Sequence, residues 1–181
     1  MIVKRLFDFV FAFVGILILL VPMIVLYILA TLNARSNGVF VQKRVGQFGK
    51  GFKILKFKTI NTTTREISFF GAFLRKSKLD ELPQLFNVLS GDMSFVGPRP
   101  DITGYYDNLQ GEERNILMLK PGITSPASIK YRNEEQLLTQ KESPLEYNDN
   151  IIFPDKVKMN LEYYYKRSFF GDLKIIIKTF I

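Results

Sequence analysis

Asp80 and Glu81 stand side by side in Lys78-Leu79-Asp80-Glu81-Leu82-Pro83-Gln84, and a stiff run, Met93-Ser94-Phe95-Val96-Gly97-Pro98-Arg99-Pro100, follows. A carboxylate pair can attack an electrophile or hold a hard cation. An arginine set between two prolines can grip anionic oxygens in a two-pronged fork. Together they point to phosphate chemistry. The chain has no cysteine and no histidine. That excludes disulfides, thiolate and imidazole metal sites, and Ser-His or Cys-His nucleophiles. Acid–base and nucleophilic work falls to Asp, Glu, Lys, Tyr or Ser. The plain alternative for the pair is charge complementarity at a helix start, worth about 0.3–1 kcal/mol, and spacing alone favours it.

These residues need elements to hold them. Pro83 is tolerated in a first helical turn. This predicts a helix that starts near Asp80, runs over residues 83–89 and ends at Ser90-Gly91. The carboxylates then fall in the first turn, where the helix dipole favours anions. Upstream, Phe70, Phe73 and Leu74 recur at helical spacing and are followed by Arg75, Lys76 and Lys78. Residues 67–78 therefore predict an amphipathic helix, suited equally to the lipid headgroup plane or to a core. Residues 39–43 and 52–57 alternate and predict a β-hairpin with a basic, glycine-rich loop. Residues 119–126 form a turn cluster, 136–150 predict a polar mobile loop, and 160–166 predict a helix. A final amphipathic segment carries Leu173, Ile176, Ile177 and Phe180 on one face.

Residues 9–32 carry no charge, and a membrane crossing needs about 20 such residues. A secretory signal has an apolar core of about 7–15 residues and a small-residue cleavage site, so this run does not fit one. Pro22 divides it, and each half reaches only about 16–20 Å, short of a hydrocarbon core of about 30 Å. Lys4 and Arg5 precede the run, and Arg35, Lys43 and Arg44 follow it. Equal signs on both flanks favour a cytoplasmic location for both ends. A broken helix that enters and leaves one face fits, and so does a kinked crossing. Asp8 lies at the membrane edge. The balance of 25 Lys+Arg against 17 Asp+Glu, net +8, favours anionic partners: nucleic acid, acidic lipid or a phosphorylated substrate.

The same residues carry a resemblance. Lys4-Arg5-Leu6-Phe7-Asp8, Gln42-Lys43-Arg44-Val45-Gly46, Lys56-Phe57-Lys58-Thr59, Leu74-Arg75-Lys76, the run from Leu79 to Val88, the run from Gly91 to Pro100, Lys120-Pro121-Gly122-Ile123-Thr124 and the stretch from Tyr163 to Thr179 come in the order of one family. The chain resembles the small monotopic phosphoglycosyl transferases of bacteria, also called bacterial sugar transferases. The resemblance covers almost the whole chain and implies an α+β, mainly helical fold. That fold would have a re-entrant membrane helix broken at Pro22 (residues 1–35) and a catalytic domain (36–181) with a small β-hairpin. Amphipathic interfacial helices would surround an active site on the cytoplasmic face of the bacterial inner membrane.

The implied reaction moves a sugar-1-phosphate from a UDP-sugar to undecaprenyl phosphate and releases UMP, starting the assembly of a surface glycan. Asp80 would be the nucleophile, forming a phosphosugar–aspartate intermediate. Glu81 would support it, with Mg²⁺ held by Asp80 and Glu81. Lys56, Lys58, Arg75, Arg99, Thr124 and Arg132 would bind substrate. Lys58 and Ile60 stand where the family commonly has arginine and methionine, and Lys58 loses the planar fork. Ser125-Pro126-Ala127-Ser128-Ile129 replaces the usual Gly-Trp/Leu-Ala-Gln-Val, which bears on donor preference. Arg132-Asn133 keeps the usual pair. Membrane lipid is an expected partner, nucleic acid is not, and a homo-oligomer stays open. The rival from another class is a non-catalytic membrane module whose basic face binds nucleic acid or anionic lipid.

Overall fold

The structure, a computed structural model, describes residues 2–181. The chain divides into two compact units, residues 1–44 with 51–93, and residues 45–50 with 94–181.

The first unit begins with α1, Ile2–Ala34, which is helical on both sides of Pro22. Proline has no N–H, so the carbonyl of Ile18 receives no bond from position 22. One stripe of α1 is buried, namely Asp8, Ala12, Ile16, Met23, Ala30 and Ala34, and much of the remainder is apolar and exposed, with Ile18 at 72% and Val21 at 69%. By length and composition the helix could cross a membrane. Its N-terminal end is tied to the unit by Arg5, which donates to the carbonyls of Val88 at 2.6 Å and Leu89 at 2.9 Å. Its C-terminal carbonyls would otherwise lack donors. Asn33 receives Asn61 Nδ2 at 3.0 Å, and Ala34 receives Thr62 Oγ1 at 2.8 Å. In between, Met23 and Ala30 pack with Phe57 and Leu74.

Strands β1 (Val39–Val45) and β2 (Gly51–Phe57) form the expected hairpin. Helix α2 (Phe69–Lys76) is capped by Ser68, whose hydroxyl accepts from Gly71 N. A Cβ on Gly71 would lie 2.0 Å from the Thr59 carbonyl oxygen, so only glycine lets α2 approach this closely. Leu74 of this helix is fully buried in the core, while Phe69 is 92% exposed. Helix α3 (Gln84–Ser90) ends at Gly91, which takes the left-handed conformation at φ 92°.

The second unit contains a pairing that periodicity did not reveal. Strands β3 (Ser94–Val96) and β4 (Gly122–Thr124) are parallel, with Ser94 opposite Gly122 and Val96 opposite Thr124. Three-residue strands are too short to show alternation. The backbones nearly touch, because Gly122 N donates to the Pro98 carbonyl at 2.8 Å and a Cβ on Gly122 would lie 2.1 Å from Gly97 N. Gly122→Ala is therefore expected to cost about 3 kcal/mol or more, seen as a fall of about 10 °C in the unfolding midpoint. An unchanged midpoint would contradict this packing.

Helices α4 (Pro126–Lys130), α5 (Glu134–Thr139), α6 (Pro144–Tyr147), α7 (Phe153–Lys166) and α8 (Phe169–Phe180) complete the unit. Its core joins Val45, Tyr106, Leu109, Ile116, Leu117 and Val157. Burial raises the Tyr106 phenol, whose oxygen accepts from Asn160 Nδ2 at 2.8 Å. The Tyr163 hydroxyl donates to Asp172 at 2.6 Å, tying α7 to α8.

The expectation of a mobile loop at 136–150 is corrected, since most of this stretch is helical, in α5, α6 and a π-helical turn at Asn148–Ile152. Within it Asp149 accepts from the Tyr105 hydroxyl at 3.0 Å, and at the start of α5, just before it, Lys156 Nζ reaches both Glu134 oxygens at 2.7 Å. Asp155 accepts from Lys130 Nζ and the Tyr131 hydroxyl, each at 2.7 Å, and is held below the usual carboxylate range by them. Burial and this carboxylate push Tyr131 up to about 12.

Candidate active site

The carboxylate pair lies in the first unit, where the chain reverses between α2 and α3. Lys78 turns the corner in the left-handed region, φ 58°, and leads into a 3₁₀ turn, Leu79–Glu81. For a residue with a Cβ that conformation costs about 1 kcal/mol, and such strain clusters at functional positions. Leu82 and Pro83 are right-handed helical and continue into α3. Asp80 and Glu81 are thus held in a helical first turn, as the proline position predicted.

Burial separates this pair from a simple helix-start charge. Asp80 is 8% and Glu81 9% exposed, and carboxylates are almost never this buried without compensation. Lys56 Nζ, from β2, lies 3.0 Å from Glu81 Oε1. The ammonium offsets the Glu81 charge. Among the described residues no group of three or more acidic side chains is gathered. The oxygen donor set is one pair, which suits a hard cation whose remaining positions are filled by phosphate oxygens and water.

Two further residues of α3 belong to the same surface. Gln84 is 1% and Asn87 4% exposed. Asn87 acts as a strand edge, since its Oδ1 accepts from Leu55 N at 3.0 Å and its Nδ2 donates to the Lys53 carbonyl at 2.8 Å. It thereby sets β2, and with it Lys56, against the carboxylate turn. Sequence reading missed both. The available signal was the polar spacing 80, 84, 87, which is one helical face.

The other expected residues are distributed as follows. In the first unit, Arg75 Nε donates to Thr59 Oγ1 at 2.9 Å from the last turn of α2. Lys58 Nζ donates to Ser36 Oγ at 3.0 Å, at the base of the hairpin. Arg99, Thr124 and Arg132 belong to the second unit. Arg99 is exposed between the buried Pro98 and Pro100. Thr124 is buried, with its hydroxyl 2.7 Å from that of Thr179, which itself donates to the Ile175 carbonyl. Arg132 donates to the carbonyls of Lys178 and Thr179 at the end of α8, at 3.2 and 3.0 Å.

The chain is similar to several known proteins. A sugar transferase of Haemophilus influenzae, described as uncharacterized, is 32% identical over 98% of this chain and 40% of its own length. A UDP-glucose:undecaprenyl-phosphate glucose-1-phosphate transferase of Klebsiella pneumoniae is 34% identical over 99% of this chain and 39% of its length. The sugar transferase EpsL of Bacillus subtilis, also described as uncharacterized, is 35% identical over 99% of this chain and 86% of its length. The chain thus spans about two fifths of the length of the first two. The family described as Bacterial sugar transferase matches across residues 1–181, and with a buried carboxylate pair set in a helical turn beside an apolar N-terminal helix, the chain belongs to that family.

Proposed function

We propose that the chain transfers a sugar-1-phosphate from a UDP-sugar to undecaprenyl phosphate, releasing UMP, and so starts assembly of a glycoconjugate. The observation that carries this reading is the buried Asp80-Glu81 pair with Lys56 on Glu81, in a chain that belongs to the bacterial sugar transferase family. A relative named for UDP-glucose and undecaprenyl phosphate supports the substrate classes.

In the first step an Asp80 carboxylate oxygen attacks the phosphorus that bears the sugar. A phosphorus–oxygen bond to Asp80 forms, the bond to the bridging oxygen breaks, and UMP leaves with that electron pair. In the second step a phosphate oxygen of undecaprenyl phosphate attacks the same phosphorus, and Asp80 departs as a carboxylate. Protons balance without a histidine. Lys56 offsets the Glu81 charge against the incoming diphosphate. Mg²⁺ bound by Asp80 and Glu81 would offset diphosphate charge and help UMP leave. Lys58, Arg75, Arg99, Thr124 and Arg132 remain proposed substrate contacts, with Thr124 and Arg132 also serving packing of the second unit.

The reading also sets the chain on one face of the bacterial inner membrane, active site towards the cytoplasm, with α1 re-entrant about Pro22. Hydrogen bonds from the first unit at both ends of α1, through Arg5 and through Asn61 and Thr62, support it. A perpendicular crossing would place one of those polar ties on the far side. Because the chain has no cysteine, Val3→Cys introduces a single thiol beside Arg5. In intact spheroplasts it is expected to resist a membrane-impermeant maleimide until the membrane is opened; labelling in intact spheroplasts would mean a crossing helix.

The activity itself is tested by incubating the purified chain with undecaprenyl phosphate, Mg²⁺ and a panel of UDP-sugars, with UMP release as the readout. At least one donor is expected to give UMP in a lipid-dependent manner. Silence across the panel, with salt-sensitive binding to DNA or acidic vesicles instead, would favour a non-catalytic basic module.

A further inference from the structure

We infer that Gln84 is a catalytic hydrogen-bond donor, its side-chain Nε2 holding a non-bridging oxygen of the phosphoryl group while that group is attached to Asp80. The inference rests on the proposed role of Asp80 as nucleophile. It starts from an imbalance in α3. Asn87 and Gln84 are both buried carboxamides on one helix. Asn87 spends its oxygen and its nitrogen on the β2 backbone. Gln84 Nε2 is buried and has no hydrogen-bond partner within the protein. A buried donor left without an acceptor opposes folding, and an instance in a well-packed region calls for an explanation. An acceptor that arrives with the substrate supplies one.

The position agrees. Gln84 follows Asp80 by four residues and Glu81 by three. The backbone between them is right-handed helical, with Leu85 N bonded to the Leu82 carbonyl and Phe86 N to the Pro83 carbonyl. Residues three and four apart share a helix face, and each Cα–Cβ bond tilts towards the N-terminus. The Gln84 carboxamide is therefore carried back over the turn that holds the two carboxylates.

The residue type also agrees. A lysine or arginine there would pair with Asp80 and blunt it as a nucleophile. A neutral carboxamide donates to phosphoryl oxygens without such an ion pair. As Asp80 attacks, charge gathers on those oxygens, and a donor already fixed in a dry site needs no reorganisation to meet it.

Gln84→Met keeps the length and volume of the side chain and removes the donor; Gln84→Glu puts an acceptor in its place. For Gln84→Met we expect an unfolding midpoint at or above that of the parent, because an unmet buried donor is gone. We expect kcat to fall about 10²–10³-fold, as for loss of one oxyanion donor, and the UDP-sugar KM to move far less. Label from a radiolabelled donor should also reach the protein more slowly in a single turnover without acceptor. Gln84→Glu should lose at least as much activity. Gln84→Met with kcat within threefold of the parent overturns the inference. So does a Gln84→Met that fails to fold, since the donor then serves the fold. Asp80→Asn is assayed alongside. If it keeps turnover, the nucleophile reading itself falls. If it is dead while Gln84→Met matches the parent, only the role of Gln84 falls.

Discussion

Asp80→Asn is expected to lower turnover by at least about 10³-fold, the scale on which removing a covalent nucleophile acts, while the chain remains folded. The amide has the shape of the carboxylate, so the buried site at Asp80 should keep its packing. A covalent route makes a second, independent demand. With radiolabelled UDP-sugar and no acceptor, the parent should retain label through denaturation and release about one UMP per chain. Asp80→Asn should do neither. Glu81→Gln should slow the reaction yet still take up label, because the neighbouring carboxylate supports the nucleophile rather than replacing it. Near-normal turnover by Asp80→Asn would end the covalent mechanism.

Lys56→Met carries the second large effect, and it acts on fold and chemistry together. Lys56 and Glu81 are only 21% and 9% exposed, with their charged atoms 3.0 Å apart. Removing one partner of a buried pair costs about 3–5 kcal/mol; the partial exposure of Lys56 places this variant near the lower end, roughly 3 kcal/mol. The uncompensated Glu81 charge would also face the incoming diphosphate. At about 6 Å and an effective dielectric of about 20, one unit charge is worth about 3 kcal/mol, a loss of about 10²-fold in kcat/KM. The double variant Lys56→Met, Glu81→Gln separates the two effects. Its stability should recover, because neither charge of the pair is left without its partner. Its activity should stay low if Glu81 takes part in chemistry, and return if the pair only balances charge. A Lys56→Met chain with unchanged midpoint and unchanged kcat/KM would remove Lys56 from the site.

Much of the local structure was legible in the sequence because it is set by local forces. Pro83 limits where a helix can begin, Gly91 permits the left-handed residue that ends it, and alternation in 39–43 and 52–57 announces the hairpin. The apolar residues of α1 from Phe9 onward could be exchanged for other apolar types without changing that reading, since only length and the absence of charge enter it. The stretch at 136–150 was misread for the converse reason. Its composition is polar, and it is fixed in part by Tyr105, which is distant in sequence and donates to Asp149. The parallel contact of Gly97 with Gly122 was illegible as well, because two glycines 25 positions apart in sequence carry no periodic signal.

By itself, the sequence determined the chemical type of the site. With no thiol and no imidazole, a carboxylate at Asp80-Glu81 was among the few nucleophiles available, and the surrounding blocks named one family. The tertiary structure alone decided the surroundings of the two carboxylates. It buried both, brought Lys56 from a strand 25 residues upstream onto Glu81, and used Asn87 to fix that strand. It also left the Gln84 donor buried without a partner within the protein. Burial and pairing depend on which distant segments meet, and a charge acquires its role from those neighbours rather than from its place in the chain.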